Sequence, residues 1–402
     1  MLQNNRAKRK CVNADNIDEL IDLLDVSQVN KKEHDCYPQV LALLSYLYRV
    51  EVSMDHVTIP EPMEVMVKEK WLGGDRNLIE QFVNPKLLIV TDRYIHTTAT
   101  VNPLRAKRPK PGGSGRAFVD EEIEKSRAGC NFCTKKLTLQ DVFGRVEWEK
   151  AGIFTAENSF RFYDFNGLVI PEKIHNYMDI DYETFHAMVA YNAVLWYGNV
   201  HRLHPDRTHP VMVWDVLGKA GASQVHPHMQ VFMGRGYYPG RMGSLEAARN
   251  TYKSDLGRDY LQDIIDLHIS LGLGVRYKTA VAIVPINPTK DNEIWVIGEP
   301  GSISDFTRLW FIAQKTYLEE LEVYCYSQGI ALPTSSFTSD VTGGDLMIAK
   351  LGARGDCASS YNDVSSLELY TISSISTDYY QTIHALSRTL EKYDFSKKNM
   401  EM

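Results

Sequence analysis

Residues 221–234 read "GASQVHPHMQVFMG", and this stretch decides the fold. His226 and His228 lie two positions apart around Pro227, and Gln230 follows. In an extended chain, residues i and i+2 face the same side, so we expect both imidazoles to serve one site. A neutral imidazole is a good zinc ligand and a competent nucleophile. The motif alone leaves three interpretations open: metal ligands, a nucleophile, or two structural histidines.

The composition excludes several classes of protein. The chain has 402 residues, is 44% hydrophobic and carries a net charge of −7, which does not suit a nucleic-acid binder. It contains no apolar run near the roughly 20 residues that cross a bilayer, and no apolar segment follows its basic start. Its six cysteines are sparse, which argues against a disulfide framework and favours a reducing compartment. We therefore expect a cytoplasmic protein.

The order of the predicted elements indicates a duplicated α+β chain. Residues 1–85 are mostly helical in pattern, including "NIDELIDLLDV" and "YPQVLALLSYLYRVEV". A strand pair, a long helix, a strand and a loop follow at about 150–234, and the same order recurs at about 278–372. The sequence thus predicts three parts: a helical N-terminal extension (1–85), a half that carries the HPHxQ motif (86–240) and a second half (241–402).

Cys130 and Cys133 form a CxxC pair in "GCNFCTKK". Such a pair is half a zinc site, a redox pair or two free thiols. A four-coordinate zinc needs two more ligands, and the chain has no second CxxC. His175, in "LVIPEKIHNYM", and His226 are the candidates. A Cys-Cys-His-His set is a common closed zinc site.

A basic cluster stands out in this acidic chain. The loop "NPLRAKRPKP" contains Arg105, Lys107, Arg108 and Lys110. Arginine suits bidentate phosphate contacts, although a solvated basic loop is the better explanation of such a cluster when it stands alone.

These motifs together resemble a known family. "RAKRP", CxxC, "ENSF", "IPEKIH" and "GASxxHPHxQ" resemble, in order and spacing, the galactose-1-phosphate uridylyltransferase family of the histidine-triad superfamily. The resemblance covers residues 93–235 with specific motifs and continues faintly to about 390. It implies an α+β fold of two histidine-triad-like halves, each an antiparallel sheet with a long helix. It also implies a homodimer and a role in galactose metabolism.

The resemblance implies a ping-pong transfer of UMP from a UDP-hexose to a hexose 1-phosphate. His228 would form the uridylyl-histidine, and Gln230 would hydrogen-bond a phosphoryl oxygen. His226, which lies beside them, would complete a structural zinc site. That site would consist of Cys130, Cys133, His175 and His226. The implied substrate-binding residues are Arg105, Arg108, Asn158, Ser159, Asp215, Ser223 and, near the C-terminus, Glu368.

Two departures from the family pattern keep other functions open. Asp215 occupies the position of a phosphate-contacting asparagine, where a carboxylate would repel phosphate. The second half reads "DLMIAKLG" where many members carry a second His-x-His pair, so we expect no second metal. The alternatives are a nucleoside-diphosphate-sugar phosphorylase, an adenylyltransferase that uses the same histidine, and a catalytically dead, zinc-stabilised binding protein.

Overall fold

The computed structural model describes residues 10–12, 14–25, 37–102, 104–105, 115–135, 138–359 and 361–393. Their strands are β1 (Tyr48–Met54), β2 (Lys86–Asp92), β3 (Thr98–Val101), β4 (Glu147–Trp148), β5 (Ile153–Glu157), β6 (Gly167–Pro171), β7 (Arg207–Val216), β8 (Met229–Arg235), β9 (Gly274–Tyr277), β10 (Ala280–Ile283), β11 (Ile294–Gly298), β12 (Tyr326–Ala331), β13 (Ile348–Ala353) and β14 (Ser373–Ile375). Their α-helices are α1 (Ile17–Leu24), α2 (Tyr37–Leu47), α3 (Arg76–Val83), α4 (Arg116–Arg127), α5 (Tyr182–Ala187), α6 (Val194–Leu203), α7 (Gly240–Leu256), α8 (Tyr260–Ser270), α9 (Ile303–Glu319), α10 (Ser366–Tyr370) and α11 (Tyr379–Tyr393).

One ten-stranded sheet organises the molecule, in the order β4-β5-β6-β8-β7-β12-β13-β11-β10-β9. Every pair in it is antiparallel. The order is symmetric about the β7–β12 pair, so the first five strands and the last five form two equivalent halves. Each half has its long helix: α5 and α6, joined by a π-helical segment, in the first and α9 in the second. The predicted α+β fold of two similar halves is confirmed.

The two faces of this sheet have different roles. The long helices pack on one of them, the helix face, where the Phe185 ring lies 4.8 Å from the Trp310 ring. Gly167 is required there, because a Cβ would come within 2.5 Å of the Trp196 indole. We call the opposite face the site face. Paired residues share a face, so Gln230 of β8, which pairs with Val213 of β7, lies there with it.

The N-terminal extension is mostly helical, as predicted, but it also contributes a strand. Asn16 caps α1, as expected, and accepts a hydrogen bond from the backbone N–H of Glu19. The predicted helix over "YPQVLALLSYLYRVEV" ends at Leu47, and the chain continues as β1. The reason is pairing: β1 joins β2 in a second sheet of order β1-β2-β3-β14.

The predicted domain boundaries stay a prediction, and their places along the chain can be given. The first lies between α3 and β2, and the second coincides with the start of α7. The long helix of the second half, α9, ends at Glu319, and the segment from Tyr326 pairs with β7 as β12.

Two further observations bear on the chemistry of the chain. Cys11 is disulfide-bonded, although the sparse cysteines predicted no disulfide framework. Cys130, Cys133, Cys325 and Cys357 do not form disulfide bonds. Over the ranges described above, no helix is both long and apolar enough to cross a bilayer.

Candidate active site and metal centre

Four predicted metal ligands converge at the end of α4. The ligand atoms of Cys130, Cys133, His175 and His226 all lie within 4.8 Å of one another. The Cys133 Sγ is 3.2 Å from the Nδ1 of His175 and 3.4 Å from the Nδ1 of His226, and the two Nδ1 atoms are 3.2 Å apart. Zinc bonds of about 2.0–2.3 Å give tetrahedral edges of about 3.3–3.8 Å. The separations therefore suit a tetrahedral metal ion.

The second nitrogen of each histidine fixes its ring. His226 donates from Nε2 to the carbonyl of Pro171 at 2.9 Å, and His175 donates from Nε2 to the carbonyl of Ile123 at 3.2 Å. Because a carbonyl only accepts, both Nδ1 atoms present a lone pair to the centre, as metal-binding histidines do. Burial lowers the pKa of His226 to about 4, which keeps it in the neutral form that a metal requires.

His228 adjoins this centre but has a different role. The strand β8 begins at Met229, so both histidines precede the strand rather than lie in it. His228 is buried, and its Nδ1 donates to the carbonyl of His226 at 2.9 Å. Its Nε2 therefore carries the lone pair. Burial lowers the pKa of His228, against an opposing effect from Asp215. The ring is a neutral imidazole with a free Nε2.

Gln230 is oriented by a neighbouring hairpin. Asn158, which follows β5, donates from Nδ2 to the Gln230 Oε1 at 3.1 Å and to the Asn166 Oδ1 at 2.9 Å. Because the Gln230 oxygen is engaged, its amide N–H groups remain as the donors that this side chain can offer. The structure thus brings together two residues that the sequence proposed for substrate contact.

The Asp215 carboxylate, which the sequence places at an expected phosphate contact, has a hydrogen-bond partner. Its Oδ1 accepts from the Ser327 Oγ at 2.6 Å, and Arg354 donates to the same Oγ at 2.9 Å. Arg354 also donates to the carbonyl of Ala220, in the loop before His228, at 2.7 Å. The Asp215 carboxylate raises the pKa of Arg354, after larger contributions from Asp363. The second half therefore supplies Ser327, which donates to Asp215, and a nearby guanidinium whose direct ion pair is with Asp363.

Other predicted substrate residues form no side-chain hydrogen bond with this group among the described residues. Arg105, Ser159 and Ser223 are exposed, and within the described chain they make no side-chain hydrogen bond to the residues above. Arg108 lies outside the described residues. Glu368, on α10, accepts from the Lys290 ammonium at 2.7 Å.

Sequence reasoning missed several members of the site. The Phe132 ring lies 5.8 Å from the His226 ring and 5.3 Å from the His228 ring, so it packs on both. Its place inside the CxxC was the only signal that could have found it. Ser327 and Arg354 had no local signal, because strand pairing brings them to Asp215 from more than 100 positions away.

The known proteins that resemble this chain are found through its structure. No protein-family model matches it, and no curated protein matches it in sequence. Its structure matches an ADP-glucose phosphorylase from Arabidopsis thaliana, solved with bound ADP-glucose, at TM-score 0.55 and 15% identity, over 74% of this chain and 97% of that one. It also matches a GalT-like protein from Arabidopsis thaliana at TM-score 0.51 and 16% identity, over 64% of this chain and 91% of that one.

A third match is a structure described as a uridylyltransferase, at TM-score 0.50 and 12% identity, over 76% of this chain and 99% of that one. At these identities the matches establish the fold. The chain therefore has the fold of the GalT-like uridylyltransferase and phosphorylase structures, and the resemblance seen in the sequence is confirmed at that level.

Proposed function

We propose that the chain is a nucleotidyltransferase that moves UMP from a UDP-hexose to a hexose 1-phosphate through a covalent intermediate on His228. The observation that carries the proposal is the hydrogen bond from the His228 Nδ1 to the His226 carbonyl at 2.9 Å. It leaves a neutral, uncommitted Nε2 beside Gln230. A nucleophile for phosphoryl chemistry needs this lone pair.

The proposed reaction has two balanced displacements. The His228 Nε2 attacks the α-phosphorus, an N–P bond forms, and the bond from that phosphorus to the bridging oxygen breaks. Hexose 1-phosphate leaves with the bridging oxygen. A phosphate oxygen of the second hexose 1-phosphate then attacks the same phosphorus, the N–P bond breaks, and neutral His228 returns. Gln230 would donate to a nonbridging oxygen as charge develops there.

We propose zinc as the ion of the Cys-Cys-His-His centre. Two thiolates and two imidazoles in a tetrahedral arrangement suit zinc, which supplies folding stability in such closed sites. Cys130, Cys133, His175 and His226 would hold it, and the ligand separations given above support the assignment. The chain's own contribution is to fix the loop that carries His228 two residues beyond a ligand.

A phosphorylase is the second candidate. One structure with this fold is an ADP-glucose phosphorylase with bound ADP-glucose. In that reaction inorganic phosphate would replace hexose 1-phosphate as the acceptor, and the nucleotide on His228 would be adenylyl. The Arg354 guanidinium near Asp215 supports an anionic acceptor in both cases.

The test is intact-protein mass spectrometry without acceptor. We expect UDP-glucose to add one uridylyl group to the wild type and none to His228→Ala, with His204→Ala as the matched histidine control. Addition of hexose 1-phosphate should then remove the group. Adenylylation by ADP-glucose, reversed only by inorganic phosphate, would support the second candidate instead. No adduct with either sugar nucleotide would contradict both candidates and support a binding protein.

The proposal includes the homodimer that the resemblance implies. Sedimentation equilibrium of the purified chain measures its mass in solution, and a monomer at all accessible concentrations would contradict this part.

A further inference from the structure

A cavity of about 630 Å³ opens on the site face over the second half. Residues of β7, β12, β13 and β11 and Phe232 of β8 form its floor, and the start of α7 forms part of its wall. Four of its six charged lining residues are cationic. These six are Asp215, Arg241, Lys290, Glu293, Lys350 and Arg354.

Lys350 occupies the place in the second half that Gln230 occupies in the first. Strand register joins Gln230 to Val213, Val213 to Gly329, and Gly329 to Lys350. This row is symmetric about the β7–β12 pair. The residue proposed to contact phosphate in the first half therefore has a lysine as its counterpart.

Lys350 has no acidic partner for its charge. Its ammonium lies 3.6 Å from the centre of the Trp295 ring, and no carboxylate in the described chain lies within ion-pair distance. Glu293, the nearest acid in the cavity wall, is committed elsewhere. It accepts from the backbone N–H and the hydroxyl of Thr289 and from the Trp295 indole.

The surroundings of Lys350 act on its charge in both directions. Burial lowers its pKa to about 8 against opposing contributions from the carboxylates of Glu293 and Asp92, and the Arg241 guanidinium adds a smaller lowering effect. Arg241 likewise forms no ion pair with any described residue. Two unpaired cations in one cavity favour an anionic ligand.

Two neutral features complete the site. The 17-residue helix α7 begins at the cavity, and no side chain caps its N-terminus. Its first N–H groups therefore add to the favourable field for an anion. Asn287 is 4% exposed and lines the cavity, and its Oδ1 has no hydrogen-bond partner. A buried acceptor of this kind suits a hydroxyl donor.

We propose that this cavity is a second ligand site, which binds a phosphomonoester of a hydroxylated molecule such as a sugar phosphate. The phosphate dianion lies between Lys350 and Arg241, and a hydroxyl of the ligand donates to Asn287. Gly329 leaves room above the floor, since a Cβ there would meet only the end of Met242, at 3.5 Å.

The cavity adjoins the candidate active site, because Asp215, Ser327 and Arg354 line it as well, but the phosphate position proposed at Lys350 is separate from His228. Lys350 is three strands from β8, which corresponds to about 14 Å at the usual spacing of about 4.8 Å. Reacting atoms must approach to about 3–3.5 Å. A phosphate held by Lys350 is therefore not the one that attacks the nucleotide on His228, and the inference does not depend on the proposed transfer reaction.

Isothermal titration calorimetry with glucose 1-phosphate tests the site, with inorganic phosphate and glucose as the separate anionic and hydroxyl probes. We expect Lys350→Met to weaken binding of glucose 1-phosphate about tenfold or more, because a charged hydrogen bond is lost. Lys350→Arg keeps the charge and should bind within a few-fold of wild type. Lys253→Met, on the exposed side of α7, is the matched control and should bind normally.

A second variant guards against misfolding. Gly329→Val fills the cavity without changing its charge and should abolish binding while the thermal midpoint stays near that of wild type. His228→Ala should retain this binding while it loses transfer, so failure of either proposal is seen separately. Wild-type affinity in both Lys350→Met and Gly329→Val overturns the inference, and so does the absence of saturable binding to the wild type.

Discussion

The two halves of the sheet share their strand order and their helix packing but not their site chemistry. Each half places a fully buried tryptophan from its long helix on the helix face: Trp196 in the first and Trp310 in the second. Both indoles donate to a buried polar group, Trp196 to Asp141 and Trp310 to Gln328. On the site face the correspondence ends, because the first half has a Cys/His centre and His228, and the counterpart of Gln230 in the second half is Lys350.

This difference separates the residues that determine the fold, on the helix face, from those proposed to determine the function, on the site face. Packing on the helix face constrains both halves in the same way, since changes in core volume cost stability. On the site face, strand pairing constrains the backbone more than the side chains, so the side chains of the two halves can differ. One such side chain of the second half, Arg354, donates to Ser327 and to the carbonyl of Ala220, which belongs to the first half.

The largest expected effect is on the covalent chemistry, which is proposed for the first half only. His228→Ala should lower the rate of nucleotide transfer on the order of 10⁴-fold or more, because it removes the proposed nucleophile. Steady-state kinetics measures the loss, and His204→Ala should stay near wild type. Peptide mapping of nucleotide-labelled wild type should place the label within residues 221–234. A label within 278–372 would show that the second half carries the chemistry.

Removal of the metal centre should give the next largest effect, and on stability. Cys130→Ser should lose the bound metal and lower the free energy of unfolding by about 3 kcal/mol or more, because the metal-binding free energy is part of the folding free energy. Urea unfolding and metal analysis measure both losses. Cys357→Ser, which replaces a cysteine of the second half that forms no disulfide bond, is the control and should change neither by a comparable amount. Equal stability of the two variants would contradict a structural metal.

Arg354 tests whether the second half supports the site of the first. Arg354→Met should lower kcat/KM by about 30-fold, or about 2 kcal/mol, because it breaks the bond to Ala220 and removes the guanidinium near Asp215. Arg388→Met, which removes an exposed ion pair with Glu320, is the control.

A double variant sharpens this prediction. Asp215→Asn in the Arg354→Met background should recover part of the loss, because it removes the unbalanced charge beside the phosphate position. The same substitution in wild type should change kcat/KM by less than about tenfold. If the two effects are additive, Arg354 does not act through Asp215.

The sequence predicted that Cys130, Cys133, His175 and His226 cluster, because cysteine and histidine are rare and their spacing in "GCNFCTKK" and "HPHMQ" is informative on its own, while the role of His228 stays a prediction. It predicted the halves because period-2 and period-3.6 patterns are local properties. The sequence did not predict the features that depend on pairing between distant strands. The apolar spacing of residues 48–52 fits a helix or a strand, and only pairing with β2 selects the strand. Ser327, Arg354 and Lys350 reach the site face through strand register, which local patterns do not encode.

The smallest expected effect concerns a buried histidine that serves structure alone. His268, on α8, donates from Nδ1 to the Ile264 carbonyl at 2.7 Å and accepts from the Ile286 N–H at 3.1 Å. Burial lowers its pKa to about 4, below the ordinary 6.5, so the unfolded chain binds the proton more readily. Stability from this group is therefore lost as the pH falls from 6.5 towards 4, by about 2 kcal/mol between pH 7 and pH 5.

Urea unfolding at these two pH values measures that loss in the wild type and in His268→Gln. The glutamine amide offers one donor and one acceptor in place of the ring nitrogens and does not titrate. We expect the variant to lose about 1 to 2 kcal/mol less than wild type between pH 7 and pH 5. Equal losses in both proteins would show that another group causes the acid sensitivity. A smaller loss in the variant would show that His268, in the second half, acts on stability, in contrast to the chemical role proposed for His228 in the first half.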